Sequence, residues 1–214
     1  MKGLLLKDFY NIARSGRLYL AMLLIYGVLS YANGGALMLT MVAVLFAMML
    51  PMSAIGYDEK DRWEPLCLTL PVAPAVMVLE KYVLAILCCI LGIALGGGVG
   101  WILGQLVGTG DMAGYPATVA AAMAVSLAYN AVTLPVNLRL GVERGRIVCI
   151  LVLMIPFLGI LMLERQGILE SARIAQAAAW LTSGAGILAA AAALALLLVV
   201  SFLASLRLYR RKEW

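Results

Sequence analysis

The sequence predicts an all-α, polytopic membrane protein with six transmembrane helices, and three observations lead to that prediction. Of the 214 residues, 64% are apolar and 13% charged, with a mean hydropathy of +1.02; soluble domains run at about 45–50% apolar and about 25% charged. The apolar residues form six long segments, and Lys and Arg concentrate in alternate connections between them. This excludes an ordinary soluble fold, a disordered chain and a nucleic-acid-binding domain.

Residues 1–17 are expected to form an amphipathic helix that lies in the headgroup layer. One face carries Leu5, Phe9 and Ile12, and another carries Lys7, Asn11 and Arg14. Such a pattern is typical of a helix that rests on a membrane surface. The apolar run Leu4–Leu6 is too short for a signal peptide. The alternative is that this stretch simply extends the first span.

Six apolar segments follow, and a span needs roughly 20 residues. The first is short, and the fifth is marginal, with a kink expected at Pro156. The segments are 18–32, 36–56, 82–107, 116–138, 147–163 and 182–206. We therefore divide a single transmembrane domain, 1–214, into 1–17 (interfacial helix), 18–56 (spans 1 and 2), 57–81 (loop), 82–138 (spans 3 and 4), 139–146 (turn), 147–206 (spans 5 and 6) and 207–214 (tail).

The distribution of basic residues predicts the orientation. Of the 16 lysines and arginines, 14 lie in 1–17, 57–81, 139–146 and 207–214, on the same side of a six-span chain. Only Arg165 and Arg173 lie on the other side. Because basic residues accumulate on the cytoplasmic side, both termini are expected in the cytoplasm.

A row of glycines marks the third segment. Gly92, Gly96, Gly100 and Gly104 recur at every fourth position. Small residues at this spacing let another helix approach closely. The packing partner is either a helix of the same chain or one of a second subunit.

Polar residues inside the segments are few. Asn130, Thr133 and Asn137 surround Pro135 in the fourth segment. They either bond to neighbouring helices and to carbonyls freed by the proline, or line a translocation path. No charged residue lies in the centre of a segment, which argues against proton-driven transport.

The chain has no catalytic or metal-binding motif. None of the five lysines is followed by Ser or Thr, so the phosphate-binding motif GxxxxGK[ST] is missing. Histidine is absent, which removes the usual serine triad and His-ligated metals. The four cysteines form no CxxC pair and imply no disulfide framework. Any ATP-driven role therefore depends on another chain.

Residues 57–81 form the only net-acidic connection on the predicted cytoplasmic side, with five acids and three bases. Asp61 and Glu64 resemble a capping pair that opens a short helix, and Trp63 gives it an apolar side. Because anionic headgroups repel acids, this loop is expected to dock on a protein. The alternative is a solvated loop with Trp63 at the interface.

At three places the sequence resembles the small permease subunits of bacterial ABC-2-type ABC exporters, above all the group that exports phenol-soluble modulins and other amphipathic peptides. The first stretch is 1–10, and the third is 139–146, which is similar to a Gly-x-Glu-(Lys/Arg)-Gly-Arg turn. The second comprises Leu50-Pro51, Tyr57-Asp58-Glu59, Trp63, Leu70-Pro71 and Glu80-Lys81-Tyr82. Together these stretches cover about a quarter of the chain.

The resemblance implies a multi-pass permease in the bacterial plasma membrane. Two permease chains, identical or sibling, would pair, each bound to a cytoplasmic ATPase that holds ATP and Mg²⁺; this chain itself would carry no cofactor. The coupling helix would run from Tyr57 to about Leu68. The ATPase-coupling residues would be Tyr57, Asp58, Glu59, Asp61, Trp63 and Glu64, and the cytoplasmic turn would use Gly141, Glu143, Gly145 and Arg146.

The function expected from this resemblance is export of amphipathic or hydrophobic cargo, such as peptides or antibiotics. Where relatives often have Ser-Arg after Leu-Pro-Val, this chain has Ala73-Pro74, so no role is carried over to that position. The alternative is a membrane immunity or sensor protein that binds a peptide or a signalling partner without transport.

Overall fold

The computed structural model describes residues 2–32, 36–63, 73–108, 114–165 and 183–210. Five long helical elements make up nearly all of them. They are α1 (Lys2–Ala32), α2 (Ala36–Lys60), α3 (Pro74–Val107), α4 (Tyr115–Arg165) and α5 (Gly184–Arg210). Helices satisfy every backbone polar group within the segment, which a chain in hydrocarbon requires.

Within these described ranges, three helices are long and apolar enough to cross a membrane: Met38–Lys60, Ala75–Leu106 and Gly184–Tyr209. A fourth is added if the two parts of α1, Gly3–Ala13 and Leu18–Ala32, count as one span. The described part of the chain is therefore an all-helical membrane protein. The six-span topology and the orientation of the termini stay predictions.

The helix α1 runs through the boundary predicted between an interfacial helix and the first span. Its two parts, Gly3–Ala13 and Leu18–Ala32, meet at an angle of 56°. The change of direction thus lies where the amphipathic pattern gives way to the apolar one.

The connection between α2 and α3 is shorter than the predicted loop 57–81. The helix α2 continues to Lys60, and α3 begins at Pro74 rather than at Tyr82. Proline suits the first turn of a helix because its missing N–H is not needed there. Hydropathy therefore ended α2 about one turn too early and started α3 about two turns too late. Charged residues at these places lower the local hydropathy: Asp58, Glu59 and Lys60 in α2, and Glu80 and Lys81 in α3.

The helix α4 contains the fourth and fifth predicted segments and bends sharply at Gly141, whose backbone is not helical (φ 77°, ψ 169°). The Asn137 amide lies 3.7 Å from the Cys149 sulfur. Twelve residues of straight helix would separate these positions by about 18 Å. The two arms of α4 therefore fold back on each other, with the bend inside the predicted turn 139–146.

The glycine row lies against α2. A Cβ added at Gly92 would come within 3.1 Å of the Cβ of Ala47, and one at Gly96 would overlap the Cβ of Ala43. Gly96, Gly100 and Gly104 are buried, and Gly92 is partly buried. Within one chain, the first two glycines thus bring α3 into close contact with α2.

Candidate coupling site at the helix ends

Four charged side chains from three helices form a closed cluster, which we call the ion cluster: Lys7 and Asp8 of α1, Asp58 of α2 and Lys81 of α3. The Lys81 ammonium lies 2.5 Å from Asp8 Oδ2 and 2.5 Å from Asp58 Oδ2. The Lys7 ammonium donates to Asp58 Oδ1 and lies 3.2 Å from Asp8 Oδ1. Each ammonium therefore contacts both carboxylates.

Three of the four residues of the ion cluster are buried, and the Lys7 side chain is 23% exposed. The exposed fraction is 0% for Asp8, 5% for Asp58 and 7% for Lys81. Burying an ion costs several kcal/mol, and only close partners repay that cost. Two positive and two negative charges alternate here, so each charge is compensated only while α1, α2 and α3 keep their relative positions.

Glu80 adds a third carboxylate beside the ion cluster. It is 2% exposed, and its Oε1 has no hydrogen-bond partner among the described residues. With Asp58 and Lys81 it borders a cavity of about 30 Å³, which is room for roughly one water molecule. Among the residues that the structure describes, no three His, Cys, Asp or Glu side chains are grouped so as to hold a metal ion.

Trp63 covers the ion cluster. The Lys7 ammonium lies 4.3 Å from the centre of its ring, within range of a cation–π contact. The partly buried ring also packs on the apolar cluster that contains Ile55, Met77 and Leu138. Trp63 is thus engaged within the chain.

Glu59 connects the end of α2 to the bend of α4. Its Oε2 accepts a hydrogen bond of 2.8 Å from the backbone N–H of Val142. Its Oε1 lies 2.6 Å from where a Cβ would stand on Gly141. The structure therefore brings together two regions predicted separately, the coupling segment and the turn 139–146.

Gly145 completes the bend. A side chain there would overlap Asn137 Oδ1, because the two arms of α4 meet at this point. Glu143 and Arg146, the other two residues predicted for this turn, are exposed.

Three exposed charged residues follow Glu59 directly: Lys60, Asp61 and Arg62, which we call the α2 tip. The Asp61 N–H donates to the Tyr57 carbonyl at 2.9 Å, and the Arg62 N–H to the Glu59 carbonyl at 3.2 Å. The tip is thus built onto the last turn of α2. Glu64 and the rest of the predicted coupling helix lie outside the described residues.

The polar residues predicted as packing or path-lining groups are buried between helices. Asn130 donates to the carbonyls of Ser126 (3.0 Å) and Ala47 (3.5 Å). Thr133 donates to the Tyr129 carbonyl one turn earlier, at 2.9 Å. These contacts and that of Asn137 with Cys149 favour the packing role, and a path-lining role stays a prediction.

Sequence reasoning missed the ion cluster, although a signal was present. Lys7-Asp8 and Glu80-Lys81 are adjacent opposite charges, and each pair borders an apolar run. Charges next to apolar segments are retained when they find partners. Their partners could not be named, because Lys7 and Asp58 are 51 residues apart.

One of three comparisons with known proteins identifies the family of this chain. A search of curated proteins and a search of solved structures gave no match. A family model described as ABC-2 family transporter protein matches residues 3–210, nearly the whole chain. That family comprises membrane components of ABC transporters, which are transport subunits rather than catalytic ones and imply a nucleotide-binding ATPase as partner. The chain belongs to the ABC-2 family of transporter proteins.

Proposed function

We propose that this chain is the permease subunit of an ATP-driven exporter in the bacterial plasma membrane, and that a separate ATPase docks on the α2 tip. One observation carries the proposal. Lys60, Asp61 and Arg62 are exposed, whereas Asp58 is buried in the ion cluster; Glu59 is exposed but bonded to the backbone of Val142. This moves the expected ATPase contact from Asp58 to the three residues that follow Glu59.

The contacts behind the tip support a role in force transmission. Asp58 joins α2 to α1 and α3 through the ion cluster, and Glu59 joins α2 to α4. A displacement of the tip therefore reaches four helices at once. ATP and Mg²⁺ are bound by the partner, since this chain lacks the GxxxxGK[ST] motif.

The assembly we propose contains two permease chains, identical or sibling, each with one ATPase. The tip faces the cytoplasm, in line with the 14 of 16 basic residues that share its predicted side. The cargo is amphipathic or hydrophobic, of the peptide or antibiotic class, by analogy with the exporters that the sequence resembles. An apolar cavity of about 490 Å³ between α1, α2 and α3 is compatible with such cargo.

Co-purification tests the proposal. We expect the tagged chain, extracted in mild detergent, to carry an ATPase with nucleotide-binding motifs at near one-to-one stoichiometry. Reversing two tip charges, Asp61→Lys with Arg62→Glu, is expected to weaken the association about tenfold, the equivalent of about 1.4 kcal/mol. The matched control is Arg207→Glu, which reverses an exposed charge on α5.

The immunity or sensor function is the competing outcome of this experiment. Repeated isolation of the chain without an ATPase, in detergent and in nanodiscs, would contradict the exporter and favour that alternative. If the tip variant and the control bind the ATPase equally well, the exporter function is not contradicted, but the α2 tip is not the docking site.

A further inference from the structure

Next to the α2 tip, Glu59 reaches a helix start that has no acceptor of its own. The first N–H groups of any helix lack partners within the helix. Gly141 interrupts α4, so Val142 begins a new helical arm, and its N–H donates to Glu59 Oε2 at 2.8 Å. A carboxylate at this place also complements the positive end of the helix dipole. Glu59 thus caps the second arm of α4 from another helix.

Gly141 makes this approach possible. Its φ of 77° lies in the region that favours glycine. A Cβ at this residue would stand 2.6 Å from one oxygen of the Glu59 carboxylate. Only a residue without a side chain lets the carboxylate lie directly over the bend.

The second arm of α4 has few other attachments. Among the side chains described over 147–165, only that of Cys149 is buried. Near the bend, the arm contacts the first arm through Gly145 and Cys149, which both meet Asn137. The position of the arm therefore depends strongly on contacts at the bend, of which the Glu59 cap is one.

A cavity of about 610 Å³ lies between α2 and this arm. Methionines and other apolar residues form most of its wall, with Lys60 and Arg146 also on it. Val142, the residue capped by Glu59, and Cys149 both line it. Any shift of the arm relative to α2 changes the width of this cavity.

We infer that Glu59 is a positioning residue that holds the second arm of α4 against α2 and so sets the width of the cavity between them. The residue stands between Asp58, fixed in the ion cluster, and the exposed tip. Resting on the proposed function, the inference further states that the ATPase acts on the cavity through this contact. Movement of the α2 tip then weakens or strengthens the contact between Glu59 and Val142, and the second arm of α4 shifts relative to α2.

Two native cysteines provide the test. Cys149 lines the cavity, and Cys89 is fully buried between α2, α3 and α4. N-ethylmaleimide modification of each is followed by mass spectrometry on the purified full chain in nanodiscs. We expect Glu59→Ala to raise the rate at Cys149 about two- to fivefold, in line with the strength of a charge at a helix terminus, and to leave Cys89 unchanged.

Matched variants separate capping from general loosening. Glu59→Gln keeps an oxygen acceptor and is expected to stay closer to the wild type than Glu59→Ala. Glu143→Ala removes an exposed acid from the same arm and is expected to have a smaller effect. Equal rates in Glu59→Ala and the wild type, or equal increases in all three variants, would overturn the inference.

Amide hydrogen exchange keeps the inference testable if Glu59→Ala destabilises the whole protein. If Cys89 also becomes reactive in Glu59→Ala, hydrogen exchange at Val142 in the unmodified chain decides. Slow exchange of the Val142 N–H in the wild type supports the hydrogen bond to Glu59. Exchange of this N–H as fast as in an unstructured peptide overturns the inference.

A separate measurement tests whether the ATPase acts on the cavity through Glu59. In the complex, ATP with vanadate is expected to change Cys149 reactivity in the wild type but not in Glu59→Ala. A response in both would overturn the transmission role of Glu59. An effect of Glu59→Ala in the isolated chain, with no ATPase ever bound, would uphold the positioning role and contradict the proposed function instead.

Discussion

The two ends of the α2–α3 pair are held together by different chemistry. At one end, Asp58 and Lys81 belong to a buried ion cluster that also includes α1. Towards the other end, glycines of α3 pack on alanines of α2, and the Tyr115 hydroxyl contacts Thr40 at 2.6 Å and the Gly97 carbonyl at 2.9 Å. The charged end tolerates few geometries, because any separation leaves an ion buried without a partner. The neutral end depends on shape and on ordinary hydrogen bonds.

The largest effect is expected from breaking the charged end. Lys81→Ala leaves Asp8 and Asp58 with Lys7 as their only cation in the ion cluster. Removing one partner of a buried pair costs about 3–5 kcal/mol. We expect a marked fall in thermal stability in detergent, measured by scanning fluorimetry. Retention of wild-type stability would show that the ion cluster is not needed to hold these helices.

Overpacking the neutral end should come next. Gly96→Leu places a side chain where the Cβ of Ala43 already lies, whereas Gly98 has nothing within 4 Å of its added Cβ. Overpacking costs about 1–3 kcal/mol. We expect a clear loss of stability for Gly96→Leu and little change for Gly98→Leu in the same assay. Equal behaviour of the two variants would contradict the α2–α3 contact.

A smaller effect is expected when only the hydroxyl at the neutral end is removed. Tyr115→Phe deletes the contacts with Thr40 and with the Gly97 carbonyl. Such a loss is worth about 1 kcal/mol. The control is Tyr10→Phe, at an exposed position of α1. A loss of thermal stability as large as that of Lys81→Ala would contradict the difference between the charged end and the neutral end.

The smallest effect is expected at the cover of the ion cluster. Trp63→Leu keeps an apolar side chain and removes the aromatic face that Lys7 contacts. Cation–π contacts at exposed sites are worth about 0.5–1 kcal/mol, and both Lys7 and Trp63 are partly exposed. We expect a small loss of stability with the ATPase still bound. Loss of the ATPase at unchanged stability would return Trp63 to the docking surface.

The sequence predicted the helical class and the packing glycines, because hydropathy and small-residue spacing are local properties. It also singled out Glu59 and Gly141. Their contact could not be predicted, since the bond from Val142 to Glu59 joins positions 83 residues apart across a bend that one positive φ creates. For the same reason Asp58 was expected at a partner surface. An acidic residue in a short acidic run is expected to be exposed. Asp58 is buried because Lys7 and Lys81, which are distant in sequence, contact it in the fold.

The most direct test of the account compares Asp58 with Asp61, three residues apart on α2 and its tip. Stability and ATPase co-purification per folded chain are measured for Asp58→Asn and Asp61→Lys. The account predicts that Asp58→Asn loses stability and keeps the ATPase, whereas Asp61→Lys keeps its stability and binds the ATPase more weakly. The reverse pattern, in which Asp58→Asn stays stable and loses the ATPase, would contradict the division between a buried anchor and an exposed docking tip.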